Sequence, residues 1–569
     1  MGTHLAPTGI VVKIRSASIA FFVLAGMLAG CAPAAEDDSA DDEGKLQELG
    51  APLGYVGQNV VRTLTSNPKL NALKGKTWQV SAGNELKDGW LLPTTGSEWW
   101  GEKLASLPVA TDCKDGEANC DPDFHMRTCD AAACPAGGGT CEPFGPTVTA
   151  DGQRPKKMCV GYGDWFEEAF YDALVSAHEQ VDISSLWLPG DRFAPAIRNG
   201  LLRVAARGKP LTVRILAGNV SDFSYLASRT TSATLSTLTR GLPANAPLSI
   251  YVAQQSSAVL SWNHSKIIAV DGKFTLTGGH NMHTADYALK DPVSDLSMRL
   301  SGPAAVAAHL YSNEIWAVGC KRGNFHGFGL VSFPEGLPCP KAYAPSAAPG
   351  DGSTSVIAVG RLGAVSDNPS DDALLAMVDA AKETVVMSQE DILGGRIPKT
   401  NLSVAAPPRP LILRLAAAIG RGVDVYLVTS NVDGGLFTTS YSHGWSAEET
   451  VVQMADIMKE NKDLFPAGTD IVALLCEKLH VAGIRLADGE RWADGKVFSN
   501  HAKFLMVDSQ AFYIGSQNVY VSDLAEFGYI VDSPKDAKVA NDTFWAPLWK
   551  YSKRGAVSGS DAKACSLRK

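Results

Sequence analysis

Two stretches of this 569-residue chain repeat one another in register, and that repeat constrains the fold more than any other feature of the sequence. The first reads His264-Ser265-Lys266 with Asp271, then Gly278-Gly279-His280-Asn281; the second, at a constant offset of 237, reads His501-Ala502-Lys503 with Asp508, then Gly515-Ser516-Gln517-Asn518. The approaches to both repeat as well. Phe166, Phe170, Leu174 and Ala177 mark a helix, residues 181–186 a strand, and a second helix stops at Arg207-Gly208 before a strand at 211–216. In the second copy Leu374, Leu375, Val378 and Ala381 mark the helix and 384–389 the strand, with Arg421-Gly422 ahead of a strand at 423–428. Helices alternating with short apolar strands, each helix closed by a glycine, predict an α/β layer structure. The Pro/Gly/Ser-rich residues 334–355 read as the linker between a first half, 161–333, and a second half, 356–569.

Within each copy the spacing has a chemical meaning. A histidine and a lysine two apart on a strand face the same way, so each half offers an imidazole beside an ammonium. Residues 266–270 and 274–277 read as a hairpin around Asp271-Gly272, which returns the glycine loop to that face. Small residues such as Gly279 and Ser516 let backbone N–H groups approach phosphate oxygens, and Asn281 and Asn518 add amides. Asp271 and Asp508 fall at the turns, where a structural role is expected. His280, His283 and His443 read as ordinary loop residues, with substrate contact as the sharper reading.

The paired His-x-Lys-x4-Asp motifs resemble those of the phospholipase D superfamily over roughly residues 160–569. Flanking runs such as Leu260-Ser261-Trp262-Asn263, Trp492-Ala493-Asp494-Gly495-Lys496 and Phe527-Gly528-Tyr529-Ile530-Val531 look like the secreted bacterial members. The resemblance implies two similar α/β/α sandwich halves related by pseudo-two-fold symmetry, with one active site at their interface. It implies His264 as nucleophile, His501 as general acid and base, and Lys266, Lys503, Asn281 and Asn518 as the phosphate clamp, with no cofactor and no metal. Asp295 and Glu526 match the acids that orient the imidazoles; which acid serves which histidine is left open, and Glu526 stands where an aspartate is expected. Tyr287 and Tyr441 match head-group residues, whereas His283 falls where a tryptophan is expected. The expected activity is phospholipid hydrolysis with transfer to small alcohols.

A nuclease on the same scaffold is the competing reading, and a non-catalytic surface protein or a membrane-embedded phosphatidyltransferase ranks behind it. The formal charge of −9, less the two basic residues of the first thirty and the six acids at 36–43, leaves −5 for the rest. That balance gives no sign of a nucleic-acid partner and favours a phospholipid surface, with the protein acting as a monomer. Apolar loops at 402–407 and 434–437 are candidates for touching a bilayer.

Residues 1–30 carry Lys13 and Arg15, then an apolar run to Leu28, and Leu28-Ala29-Gly30-Cys31 resembles a bacterial lipobox. This predicts a lipoprotein signal peptide at 1–30, lipidation of Cys31, an acidic tether at 31–50 and attachment to the cell envelope. Of the eleven cysteines, the ten beyond Cys31 then read as disulfides. Six crowd the N-terminal region 51–160 as a stapled insert, with a zinc site as the alternative and their connectivity open. Setting them aside leaves Cys320–Cys339 and Cys476–Cys565.

Overall fold

The computed structural model describes residues 52–109, 120–121, 126–129, 134, 139–143, 157–218, 230–258, 261–322, 339–346, 350–394, 406–432, 441 and 444–568. The predicted signal peptide and tether, Cys31, His443 and the loops at 402–405 and 434–437 lie outside the described residues.

Two eight-stranded sheets carry the repeat. Across the first, the order is Ser261–Trp262, Leu248–Ala258, Leu211–Gly218, Gln180–Ser185, Ile267–Val270, Phe274–Gly278, Leu296–Ser301 and Leu91–Pro93. Across the second it is Leu479–Gly483, Asp424–Thr429, Thr384–Ser388, Phe504–Val507, Ala511–Gly515, Ala525–Asp532, Thr354–Leu362 and Trp78–Asn84. In each, three parallel strands are followed by an antiparallel meander that begins at the strand after the His-x-Lys pair. The parallel strands come from helix crossovers and the first hairpin of each meander from a tight turn, while the connections that follow, 279–295 and 516–524, are longer.

Each sheet is covered on its outer face. Helices Asp164–Ser176 and Phe193–Ala205 pack on the first sheet through Phe170, Leu174, Ile197 and Leu201. On the second, Pro369–Asp379, Arg409–Gly420 and Ala447–Glu460 bury Met377, Leu415 and Met454. The inner faces share one core, in which Ile267, Ala269 and Leu296 of the first half meet Phe504, Phe512 and Phe527 of the second around helix Ala304–Arg322. A core common to both halves holds them as one body.

The N-terminal region 51–160 is built into both halves, which its composition did not announce. Its strand Leu91–Pro93 edges the first sheet and Trp78–Asn84 edges the second. Its helix Tyr55–Ser66 places Val56, Val60, Val61 and Leu64 in the second half's outer core. The linker is also shorter than predicted at its C-terminal end, because Thr354 and Ser355 already pair in the second sheet.

Four disulfides occur among the described residues: Cys129–Cys141, Cys134–Cys159, Cys320–Cys339 and Cys476–Cys565. The last two are the pairs left by the sequence. Cys129, Cys134 and Cys159 lie within ligand distance of one another, but each sulfur is spent in a disulfide, which removes the zinc reading for them. Such bridges form in oxidising, extracytoplasmic surroundings. Among the described residues no helix is long and apolar enough to cross a membrane.

Candidate active site

The two His-x-Lys pairs do not lie on strands. Both occupy extended segments entering them, where Ile267–Val270 and Phe504–Val507 begin. Each segment is held by an asparagine just ahead of the histidine. Asn263 Nδ2 donates to Ser184 Oγ, Ser185 O and Leu216 O at 3.0, 3.0 and 3.1 Å. Asn500 Nδ2 donates to Ser388 Oγ, Gln389 O and Val428 O at 3.1, 2.8 and 3.2 Å. These bonds fasten the motif to the carboxyl ends of the parallel strands, where open α/β sheets place their sites. The asparagines share the motif's offset, so extending the repeat by one residue would have found them.

The halves then exchange partners. His264 N donates to Ala525 O at 2.8 Å and His501 N to Ser294 O at 2.7 Å, so each motif continues as a bridge to the other half. His264 Nδ1 lies 2.9 and 3.0 Å from the two carboxylate oxygens of Glu526. His501 Nδ1 lies 2.6 Å from Asp295 Oδ2. With Nδ1 of each ring engaged, Nε2 is the nitrogen left for chemistry. The rings stand edge to face with centroids 6.5 Å apart. Lys266 Nζ donates to His264 O at 2.8 Å and Lys503 Nζ to His501 O at 2.6 Å, which places both ammoniums in the same space.

All these groups are buried, and their ionisation responds. Burial lowers Lys266 to about 7, with the Glu526 carboxylate opposing, and lowers Lys503. Burial also lowers both histidines: Glu526 opposes the fall at His264, while Lys503 and Lys266 deepen it at His501. The two acids part company. Burial pushes both up, carrying Asp295 to about 7, while at Glu526 the His264 and Lys266 charges overcome it and hold the carboxyl below its usual range.

The glycine loops complete the site unequally. A side chain at Gly279 would place its Cβ 2.0 Å from Asp295 Oδ1, so glycine there is a condition of the acid's position. At the matching place Ser516 Oγ donates to Glu526 Oε2 at 2.6 Å and orients the acid; the N–H groups of Gly279 and Ser516, expected to approach phosphate, instead donate to Leu296 O and Phe527 O at 2.9 and 3.0 Å and hold the loops. Asn281 Nδ2 donates to Tyr441 Oη at 3.3 Å and Asn518 Nδ2 to Tyr520 Oη at 2.7 Å, and each amide keeps a buried Oδ1 with no partner. A buried unpaired edge is costly, and each Nδ2 carries a second N–H that an incoming oxygen can accept from.

Of the head-group candidates, Tyr287 is corrected. Its hydroxyl donates to Asp295 Oδ2 at 3.0 Å and the ring is fully buried, so it braces the acid behind His501. Tyr441 packs on His501 with centroids 4.2 Å apart, and its hydroxyl donates to Asp286. His283 Nδ1 lies 3.3 Å from Asp286 Oδ2, which joins it to that wall. His280 is a core residue: it stacks on Phe166 and engages Ser297 Oγ at 2.7 Å and Thr94 Oγ1 at 2.9 Å.

Asp271 and Asp508 stand at the far ends of their hairpins with positive φ. Asp271 accepts from the backbone N–H groups of His178, Glu179 and Gln180 at 2.8, 2.9 and 2.9 Å. Asp508 accepts from Lys382, Glu383 and Thr384 at 2.8, 2.8 and 2.7 Å. Each carboxylate knots its hairpin to the neighbouring strand, seven residues of extended chain (roughly 23 Å) from its histidine.

Two opposed, acid-backed imidazoles between two lysines define a class of site suited to displacement at a phosphodiester through the protein itself. No family model matches the chain. The chain is 31% identical over 445 residues to a phospholipase D from Streptomyces antibioticus, covering 69% of this chain and 77% of that protein. It belongs to the phospholipase D family and is an enzyme of phosphodiester chemistry. Solved structures similar to it include a phosphatidylserine synthase from Haemophilus influenzae Rd KW20 (14% identity, 68% of this chain and 83% of that one, TM-score 0.43). A second is Nuc, a phospholipase D family member from Salmonella typhimurium (16% identity, 35% and 97%, TM-score 0.21).

Proposed function

We propose that the enzyme is a phospholipase D that cleaves glycerophospholipids to phosphatidic acid and free head group, and passes the phosphatidyl group to small alcohols as well as to water. The observation that carries this reading is the pair of opposed imidazoles, each held by an acid of the other half. Nε2 of His264 attacks phosphorus; a P–N bond forms, the P–O bond to the head group breaks, and Nε2 of His501 gives its proton to the departing oxygen. Water or an alcohol then returns a proton to His501 as its oxygen attacks phosphorus and the P–N bond breaks. Lys266, Lys503 and the amides of Asn281 and Asn518 stabilise the non-bridging oxygens throughout. Phosphate binding adds negative charge beside His501 and so restores the protonated form that burial disfavours.

The enzyme works as a monomer on a membrane surface, exported and anchored through Cys31. His283, with a weaker cation–π face than an indole and a hydrogen-bonding ring, favours ethanolamine, glycerol or serine head groups over choline. The test is incubation of labelled phosphatidylcholine and phosphatidylethanolamine with and without about a molar ethanol, an acceptor excess large enough for partitioning to show. Phosphatidic acid should form from both lipids and phosphatidylethanol only with ethanol. Absence of phosphatidylethanol under every condition removes the transfer reaction, and strong choline preference removes the role of His283.

A further inference from the structure

A third carboxylate stands in the site, and the chemistry above does not use it. Glu390 is buried, and its Oε2 lies 3.9 Å from Nε2 of His501, the nitrogen that handles the leaving group's proton. Its charge also acts on Lys503 and Lys266, in both cases favouring the ammonium, and on the Tyr520 hydroxyl. The backbone that aims it is pinned twice. Asn500, which positions His501, donates to Gln389 O at 2.8 Å, and Ser430 N donates to Glu390 O at 3.0 Å.

The repeat makes the placement informative. Ser184 and Ser388 take the same bond from Asn263 and Asn500, so the residue two beyond each corresponds. In the first half that residue is Leu186, whose carbonyl accepts from Gly218 N at 3.0 Å as Glu390's does from Ser430 N. The carboxylate therefore breaks the pseudo-symmetry on the His501 side alone. Its oxygen lies beside the one imidazole nitrogen that the acid–base chemistry uses.

Resting on the phospholipase D reading, we propose that Glu390 is a specificity-determining residue that binds the ammonium of a zwitterionic head group, ethanolamine or serine, as it leaves or enters. The departing oxygen must come within about 2.6–3.2 Å of His501 Nε2 to take its proton. An ammonium two carbons further along is then within reach of a carboxylate whose oxygen is 3.9 Å from the same nitrogen. Charge favours the same pairing. A bound diester takes up the positive field of Lys266 and Lys503, which also acts on Glu390, and a cationic head group brings positive charge back beside that carboxylate. A neutral head group such as glycerol supplies none.

The experiment compares kcat/KM for phosphatidylethanolamine and phosphatidylglycerol in mixed micelles, for wild type, Glu390→Gln and Glu390→Asp. The ethanolamine-to-glycerol ratio should fall about tenfold or more in Glu390→Gln, the loss of one buried charge pair. It should stay within severalfold of wild type in Glu390→Asp, which keeps the charge. The same shift should appear when ethanolamine and glycerol compete as acceptors, since acceptor and leaving group use one subsite. A variant damaged only in folding lowers both rates together and leaves the ratio unmoved, and an unmoved ratio in both measurements overturns the proposal. Wild-type enzyme that turns over bis(4-nitrophenyl) phosphate but neither lipid overturns the phospholipase D reading itself and this proposal with it.

Discussion

His264 takes its carboxylate from across the molecule: Nδ1 sits 2.9 Å from Oε1 of Glu526, which lies on the second sheet. Asp295, just ahead of strand Leu296–Ser301 of the first, returns the arrangement to His501. Removing the charge while keeping the shape should therefore cost rate without loss of fold. Glu526→Gln and Asp295→Asn are each expected to lower kcat by about a hundredfold or more, as misassigned tautomers do in other acid–histidine pairs. Single-turnover kinetics should place the Glu526→Gln defect in formation of the intermediate. A rate within a few-fold of wild type in either variant would falsify the orienting role.

In the proposed mechanism the two imidazoles have different jobs, and neither can do the other's. His264→Ala and His501→Ala should each reduce turnover by about a thousandfold or more. In His501→Asn, a diester with a good leaving group needs no acid, so the covalent intermediate should accumulate on His264. Peptide mapping that found phosphate on any other residue would reverse the assignment.

In the proposed mechanism Lys266 should set the reaction's alkaline limit. The active form is the ammonium, and burial brings its pKa down to about 7. As pH rises through that value the free enzyme loses a phosphate ligand, so kcat/KM on a soluble diester should fall above about pH 7. A bound phosphate raises the lysine again, so the limb in kcat should lie at higher pH. Coincident limbs in the two profiles, or a kcat/KM flat to pH 9, would count against this role. Chelator should change neither profile, since the proposed clamp is made of lysines and amides.

Cys476–Cys565 closes a loop of 89 residues and ties the last residues to helix Ile471–Lys478. Chain-entropy arguments give a bridge of that span about 4–5 kcal/mol, with less often realised. The Cys476→Ala, Cys565→Ala double variant should unfold at lower denaturant by about 2–5 kcal/mol with activity retained in the folded state. An unchanged midpoint would show that the bridge adds nothing to the packing around it.

Most of the architecture was legible because the repeat wrote it twice. Helix and strand patterns, the hairpins at Asp271 and Asp508 and the α/β class all follow from residues whose spacing recurs. The crossing of acids was not legible, since a symmetric pair of motifs is equally consistent with Asp295 serving either histidine. Tyr287 misled for a related reason: an aromatic near the motif says nothing about whether its hydroxyl faces the substrate or, as here, the back of Asp295. The strands at Leu91–Pro93 and Trp78–Asn84 escaped because three and seven residues at sheet edges, remote in sequence from their neighbours, carry almost no periodic signal.

The exchanged acids also say something about ancestry. A half of this chain standing alone would hold a histidine without its carboxylate and a carboxylate without its histidine. A forebear with a single motif could have worked only as two identical copies facing each other about a two-fold axis, each lending the other an acid. In the single chain the halves differ beside each pair, Glu390 against Leu186 and Ser516 against Gly279, so the two histidines meet unequal surroundings.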